Sequence, residues 1–131
     1  MLSEDEWFRF ANGDYAYPVE VCRLRRSIVT YLGVQTDVVR ISPTYARKLR
    51  FKHGLEPHHF ALMRPTAETG RILVDGPQHL IFYKYFDHIE SYMQLVLKPT
   101  RNAQELWVCT FHRQTAREIA RKSKKCLALD L

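Results

Sequence analysis

The spacing of apolar residues changes near residue 70, from helical periods in the first half of the chain to strand-like alternation in the second. Ser3, followed three residues later by Glu6, has the pattern of a capping box and predicts a short helix. This helix carries three aromatic residues, Trp7, Phe8 and Phe10. The turn-forming residues 12–14 end it.

A second helix is predicted over residues 18–32. Pro18 suits the first helical position, and Gly33 suits the cap after the last turn. Between them, apolar residues recur at helical spacing: Val21, Leu24, Ile28 and Leu32. Residues 1–36 are therefore expected to be helical.

Residues 37–69 are expected to hold one strand and two short helices. Residues 37–41 (DVVRI) are a strand candidate, and Ser42-Pro43 predicts the start of a helix over residues 44–52. Tyr45, Leu49 and Phe51 would face inward, and Gly54 would terminate this helix. Glu56-Pro57 predicts a further helix over residues 58–63, closed by Arg64-Pro65.

Four strands are predicted after residue 70, at residues 71–74, 80–85, 92–98 and 106–112. Turn-forming residues separate them at positions 75–77, 87–88 and 99–102. Connections this short favour antiparallel hairpins in a meander.

The last strand leads into a basic helix over residues 113–126. Its predicted apolar stripe is Ala116, Ile119, Ala120 and Leu127, and its basic face is Arg113, Arg117, Arg121 and Lys125. The whole pattern predicts one α+β domain over residues 1–131. Its N-terminal helices would pack on one face of a four-stranded antiparallel sheet, followed by the C-terminal basic helix.

The charge of the chain suits a phosphate-rich partner. Twenty Lys and Arg against fourteen Asp and Glu give a net charge of +6. Residues 1–20 hold five acids and one base, a net −4, whereas residues 113–125 hold six bases and one acid, a net +5. The excess is compatible with nucleic acid, although solvated surface charge explains it equally well.

Several function classes are disfavoured by what the sequence lacks. It has no apolar run of membrane-spanning length, and its acidic start does not resemble a secretory signal, so a cytoplasmic site without membrane contact is expected. Cys22, Cys109 and Cys126 include no CxxC pair and are expected to be reduced, with Cys109 in the core. No HExxH, phosphate-binding glycine loop or GxSxG is present, so neither a metal nor a cofactor is expected.

The reaction that remains possible is acid–base cleavage of RNA without a metal ion. Cleavage by the 2′-hydroxyl of RNA itself needs a base, an acid and cations that stabilise charge on phosphorus. Lys98 ends one predicted strand, while Thr110, His112 and Arg113 end another. Alternation places Thr110 and His112 on one sheet face, opposite Cys109 and Phe111.

Residues 38–113 resemble the phage-associated members of the barnase–EndoU–colicin–RelE (BECR) nuclease fold. The matching segments are VRIS at 39–42, Lys48, KHGL at 52–55, VDG at 74–76, FYK at 82–84, LVLKPT at 95–100 and ELWVCTFHR at 105–113. The resemblance implies metal-independent RNA cleavage, often of tRNA, by toxins or mobile-element proteins. An acidic antitoxin or immunity protein is then a further candidate partner.

The resemblance assigns catalytic positions to His53, Lys98, Thr110 and Arg113, with Tyr83 and His112 as additional candidates. His53 would be the leading acid or base, and His112 the competing one. Arg117, Arg121 and Lys125 would bind the RNA backbone. The remaining histidines, His58, His59, His79 and His88, are expected in surface or turn positions.

Each candidate also has a purely structural explanation. His53 also fits a helix-terminal residue, Lys98 a strand-end lysine and Thr110 a residue of high strand propensity. Two other functions therefore stay open: a nucleic-acid-binding module without activity, and a structural or interaction protein. Convergence of the candidate residues on one cleft would favour the ribonuclease over the binding module without activity.

Overall fold

A computed structural model of the chain describes residues 2–76 and 79–130. These residues form an α+β fold around one mixed sheet of seven strands. The strands are β1 (Val19–Arg23), β2 (Val38–Ile41), β3 (Arg71–Asp75), β4 (His79–Phe86), β5 (Ser91–Pro99), β6 (Leu106–Gln114) and β7 (Leu127–Leu129). Of the predicted turn at 75–77, Pro77 lies outside the described residues.

The strand order is β1-β2-β6-β5-β4-β3-β7, so the prediction of a four-stranded antiparallel sheet was wrong. The four predicted strands are present as β3 to β6 and form the antiparallel centre. At one edge β2 pairs with β6 in parallel and with β1 antiparallel, and at the other edge β7 pairs with β3. These edge pairings join residues far apart in sequence, which local patterns do not specify.

The second predicted helix, over residues 18–32, was also wrong. Residues Val19–Arg23 form β1, and the helix is confined to α2 (Arg26–Leu32). Val21, Leu24 and Ile28 are all buried, as their spacing suggested, but they reach the core from a strand, a connection and a helix. Pairing with β2 decides the local structure here, because it satisfies the backbone of both strands.

The remaining helices are α1 (Glu4–Ala11), α3 (Pro43–Phe51), α4 (Pro57–Phe60), α5 (Met63–Thr69) and α6 (Ala116–Lys125). The capping box at Ser3 and Glu6 and the cap at Ser42 are confirmed. None of the helices among the described residues is long and apolar enough to cross a membrane.

Two details of the middle helices differ from prediction. Phe51, expected inward, is 66% exposed at the end of α3. The helix predicted over residues 58–63 is divided into α4 and α5, and α5 continues through Arg64-Pro65 instead of stopping there. Pro65 lies in the first turn of α5. Backbone N–H groups of a first turn have no partner within the helix, so a proline is tolerated there.

The two faces of the sheet bury different residues. A row of apolar residues on adjacent strands, Ile72, Phe82, Leu95 and Phe111, belongs to the main core, with the N-terminal helices. The opposite face carries Leu73, Ile81 and, from α6, Ile119, all buried outside that core. The N-terminal helices and α6 therefore lie on opposite faces of the sheet.

The C-terminal helix begins later than predicted. β6 continues to Gln114, so Arg113 belongs to the strand, and α6 starts after Thr115. Thr115 and Glu118 form a capping box that ends the strand and begins the helix. Leu127, predicted in the apolar stripe of this helix, is 70% exposed in β7.

Candidate active site

The face of β5 and β6 that points away from the main core carries four cross-strand pairs, the first of which joins Tyr92 and Gln114. Gln94 lies opposite His112, Val96 opposite Thr110, and Lys98 opposite Trp107. Paired residues on neighbouring antiparallel strands point to the same face. Thr110 and His112 therefore share this face with Lys98, and they oppose Phe111, as predicted. We call the surface formed by these four pairs the polar face.

A β-bulge interrupts this alternation at Cys109. Val96 pairs with Thr110 and the next residue, Leu97, pairs with Val108, which leaves Cys109 as the extra residue of β6. Cys109 is only half-buried and lines an open pocket with Trp107 and Lys98. Its predicted place in the core was wrong, because the bulge turns its side chain toward the polar face.

His112 is the most elaborately surrounded titratable group of the polar face. The side-chain amide of Gln114 donates a hydrogen bond to Nε2 of His112 and fixes the ring. Burial lowers the pKa of His112, and the positive charges of Lys122 and His53 lower it further. Glu118 opposes this effect and raises the pKa. The lowered pKa favours a neutral imidazole at pH 7.

His53 comes near His112 because α3 lies along the free edge of β6. Within the part of the chain that the structure describes, β2 pairs with β6 at Leu106 and Trp107 only, and no strand borders the later residues of β6 on that side. The hydroxyl oxygen of Tyr45 in α3 accepts a hydrogen bond from the backbone N–H of Phe111, a contact that by itself lowers the pKa of Tyr45. Burial outweighs this contact and raises the pKa of Tyr45 to about 12, so the hydroxyl remains protonated. This contact aligns α3 with β6, and the exposed His53 follows directly beyond the helix.

Two buried polar atoms of the polar face have no hydrogen-bond partner among the described residues, Oε1 of Gln94 and Oγ1 of Thr110. Gln94 is only 1% exposed. Unsatisfied buried oxygens cost stability and are rare in folded proteins. Their occurrence in two adjacent rows of one face marks this region as different from the apolar core.

The other predicted catalytic residues do not all converge here. Arg113 pairs with the buried Met93 and so points to the opposite face, where it lowers the pKa of His59. Tyr83 shares the row of Gln94 and His112, but it lies two strands away from His112 and lines a pocket with Ile119 of α6. The predicted set is thus divided between two faces.

Lys98 shares the polar face but lies in a different row from His112. It is four residues along β5 from Gln94, the partner of His112, which corresponds to about 13 Å at the usual rise of a strand. Its ammonium group is exposed beside Trp107 and Arg101.

The structure brings one unpredicted cation to His112. Arg117, Arg121 and Lys125 are exposed on α6, as expected for a basic surface. Lys122, which was not singled out, is half-buried and acts electrostatically on His112. The sequence contains one indication of this position. Lys122 follows the buried Ile119 by three residues, and residues three apart lie side by side on a helix.

His59 corrects the prediction that the remaining histidines lie at the surface. It is 4% exposed, and its Nδ1 accepts a hydrogen bond from the backbone N–H of Glu56 at 3.0 Å. Burial, followed by the charges of His58 and Arg113, lowers the pKa of His59 to about 4. His59 is therefore a structural, neutral residue of the helical layer.

No group of three or more His, Cys, Asp or Glu side chains suited to a metal ion occurs among residues 2–76 and 79–130. Comparisons of the chain with protein-family models, with curated proteins and with solved structures found no match.

Proposed function

We propose that this protein is a metal-independent endoribonuclease whose active site is the polar face around His112. The observation that carries the proposal is the environment of His112 on the polar face. His112 is half-buried and bonded to Gln114, its pKa is lowered, and the charges of His53 and of the half-buried Lys122 act on it. These are the components that cleavage by an internal 2′-hydroxyl requires.

In the proposed reaction, neutral His112 accepts the proton of the 2′-hydroxyl at Nε2, where that hydroxyl replaces the amide of Gln114. The 2′-oxygen then attacks the adjacent phosphorus, and the bond from phosphorus to the 5′-oxygen breaks. His53 donates a proton to the departing 5′-oxygen. The products are a 2′,3′-cyclic phosphate and a 5′-hydroxyl.

Lys122 takes the charge-stabilising role that the sequence suggested for Lys98 and Arg113. It lies close enough to His112 to lower its pKa, whereas Arg113 points to the other face. Thr110 is the neighbouring donor on the same face, and its unpartnered hydroxyl becomes available to a phosphoryl oxygen when the side chain rotates.

The test is incubation of the purified protein with RNA in EDTA, with analysis of the cut ends. We expect cleavage that leaves 2′,3′-cyclic phosphate ends, and none at a site carrying a single 2′-deoxynucleotide. Lys122→Gln should slow cleavage, whereas Lys124→Gln, an equal loss of charge on the exposed side of α6, should not. Cleavage that requires an added divalent ion, or equal cleavage of DNA, would contradict the proposal.

A second candidate function is RNA binding without cleavage. It is favoured by the division of the predicted residues, because Arg113 lies on the opposite face and Lys98 lies about 13 Å along the strand from the row of His112. Binding of RNA without cut ends under any of these conditions would support this function over the first.

A further inference from the structure

A second cluster on the polar face lies outside the surroundings of His112. Trp107 of β6 pairs with Lys98 on one side and with Arg40 of β2 on the other. The three side chains therefore form a row across three strands, with an aromatic ring between two exposed cations. Adjacent strands are about 4.8 Å apart, so the two cations emerge roughly 10 Å from each other.

The row is accessible and locally ordered. An open pocket beside it is lined by Lys98, Pro99, Thr100, Arg101, Trp107 and Cys109. The adjoining turn is held by the Thr100 hydroxyl, which bonds to the Asn102 side chain at 2.7 Å and accepts the N–H of Glu105 at 3.2 Å. Arg101 is thus carried on a hydrogen-bonded turn at the mouth of the pocket.

Charge on the outer side of the row does not cancel its cations. Glu20 of β1 pairs with Arg40, but its carboxylate is held by Arg23 at 3.1 Å. Trp107 is half-buried, unlike Trp7, which is 2% exposed in the main core. A partly exposed tryptophan between cations is suited to stacking a base while the cations contact the backbone phosphates.

We infer that Arg40, Trp107 and Lys98 form a subsite for single-stranded RNA, in which one base stacks on Trp107 and the flanking phosphates contact the two cations. The inference rests on the proposed function, since it names the strand-binding part of the same face. The strand would then run along β5 and β6 from Trp107 toward His112, and Lys98 would bind the backbone instead of the reacting phosphate.

The test is a fluorescence titration with a single-stranded 2′-O-methyl oligonucleotide, which cannot be cleaved by 2′-hydroxyl attack. The oligonucleotide should quench the emission of Trp107, while the buried Trp7 contributes a constant background. Trp107→Leu should weaken binding roughly 10- to 100-fold, measured with a labelled oligonucleotide, whereas Trp107→Phe, which retains an aromatic ring, should weaken it less. Retained binding by Trp107→Phe would also show that replacing the tryptophan at this position does not unfold the protein.

Salt dependence tests the two cations separately. Arg40→Gln and Lys98→Gln should each reduce the slope of log affinity against log salt by about 0.7, the value for one phosphate contact in a single strand. Arg9→Gln, an exposed arginine on α1 in the helical layer, should leave the slope unchanged.

The outcomes separate this inference from the proposed function. Binding that depends on Trp107, in a protein that cuts no RNA, supports the subsite and contradicts the nuclease. Cleavage and binding that both survive Trp107→Leu would overturn the subsite and leave the nuclease intact. Equal affinity for a mononucleotide would also overturn it, because a strand-binding row gains from successive phosphates.

Discussion

β5 and β6 present two different surfaces from the same two strands. On the face of the main core, Met93, Leu95 and Phe111 are fully buried among apolar neighbours. On the polar face, the residues between them include His112 and Thr110, which are only half-buried. One face supplies packing energy, and the other holds polar groups whose hydrogen bonds are incomplete.

The difference between the two faces separates residues that stabilise the fold from residues that reduce its stability. Burying a large apolar side chain typically contributes about 1.5–3 kcal/mol, whereas an unsatisfied buried oxygen costs about 1–3 kcal/mol. The oxygens of Gln94 and Thr110 therefore reduce stability, and this supports a functional explanation for their presence. The following predictions test this division of the sheet, from the largest expected effect to the smallest.

Phe111→Ala should lower the free energy of unfolding by about 3–5 kcal/mol, because it opens a cavity in the main core. Phe51→Ala is the matched control, since Phe51 is 66% exposed, and it should have little effect. Urea denaturation of both variants measures the difference. Equal destabilisation by the two substitutions would contradict the assignment of the main core.

The stability of the protein should fall as the pH decreases from 6.5 toward 4. His59 has a folded-state pKa of about 4, below its ordinary value of 6.5, so between these values the unfolded state binds more protons. At about 1.4 kcal/mol per pKa unit, the full loss is roughly 3 kcal/mol.

His59→Asn should remove this part of the pH dependence, and His58→Asn should retain it, because His58 is exposed. Denaturation midpoints at pH 7, 5.5 and 4 compare the three proteins. An unchanged pH dependence in His59→Asn would show that His59 is not the titrating group.

Thr110→Val and Val108→Thr exchange a hydroxyl and a methyl group in opposite directions, and each measures the cost of a buried hydroxyl without a partner. Thr110→Val removes a buried hydroxyl without a partner and should raise the free energy of unfolding by up to about 1 kcal/mol. Val108→Thr introduces a hydroxyl into the main core and should lower it by about 1–3 kcal/mol. Destabilisation by both would indicate that Thr110 has a structural partner.

Lys122→Gln should raise the pKa of His112, because the lysine charge disfavours protonation of the imidazole. Lys124→Gln should leave it unchanged, since Lys124 lies on the exposed side of α6. NMR titration of the histidine ring protons follows both variants. A pKa of His112 that does not respond to Lys122 would remove this lysine from the site.

Local patterns in the sequence predict the elements with strong local signals. The capping residues Ser3 and Ser42 and the four central strands are examples, because caps and alternation are determined by neighbours in the chain. The helix predicted at β1 was wrong because Val21, Leu24 and Ile28 have helical spacing and are all buried, although they belong to a strand, a connection and a helix. Only pairing with β2 distinguishes the two structures.

The candidate site was predictable in part. Alternation placed Thr110 and His112 on one face, but it could not reveal the bulge at Cys109, which depends on the register with β5. Arg113 was expected in a helix, although the capping-box pattern of Thr115 and Glu118 marks a later start. The approach of Lys122 to His112 depends on where α6 crosses the sheet, which no local pattern specifies.

The most direct test of the account is the single-turnover rate of RNA cleavage in EDTA by His112→Gln. Loss of a positioned proton acceptor should reduce this rate about 10²–10⁴-fold, and His88→Gln, an exposed histidine elsewhere, should cleave at the rate of the unaltered protein. Cleavage by His112→Gln at the unaltered rate would contradict the placement of the active site on the polar face.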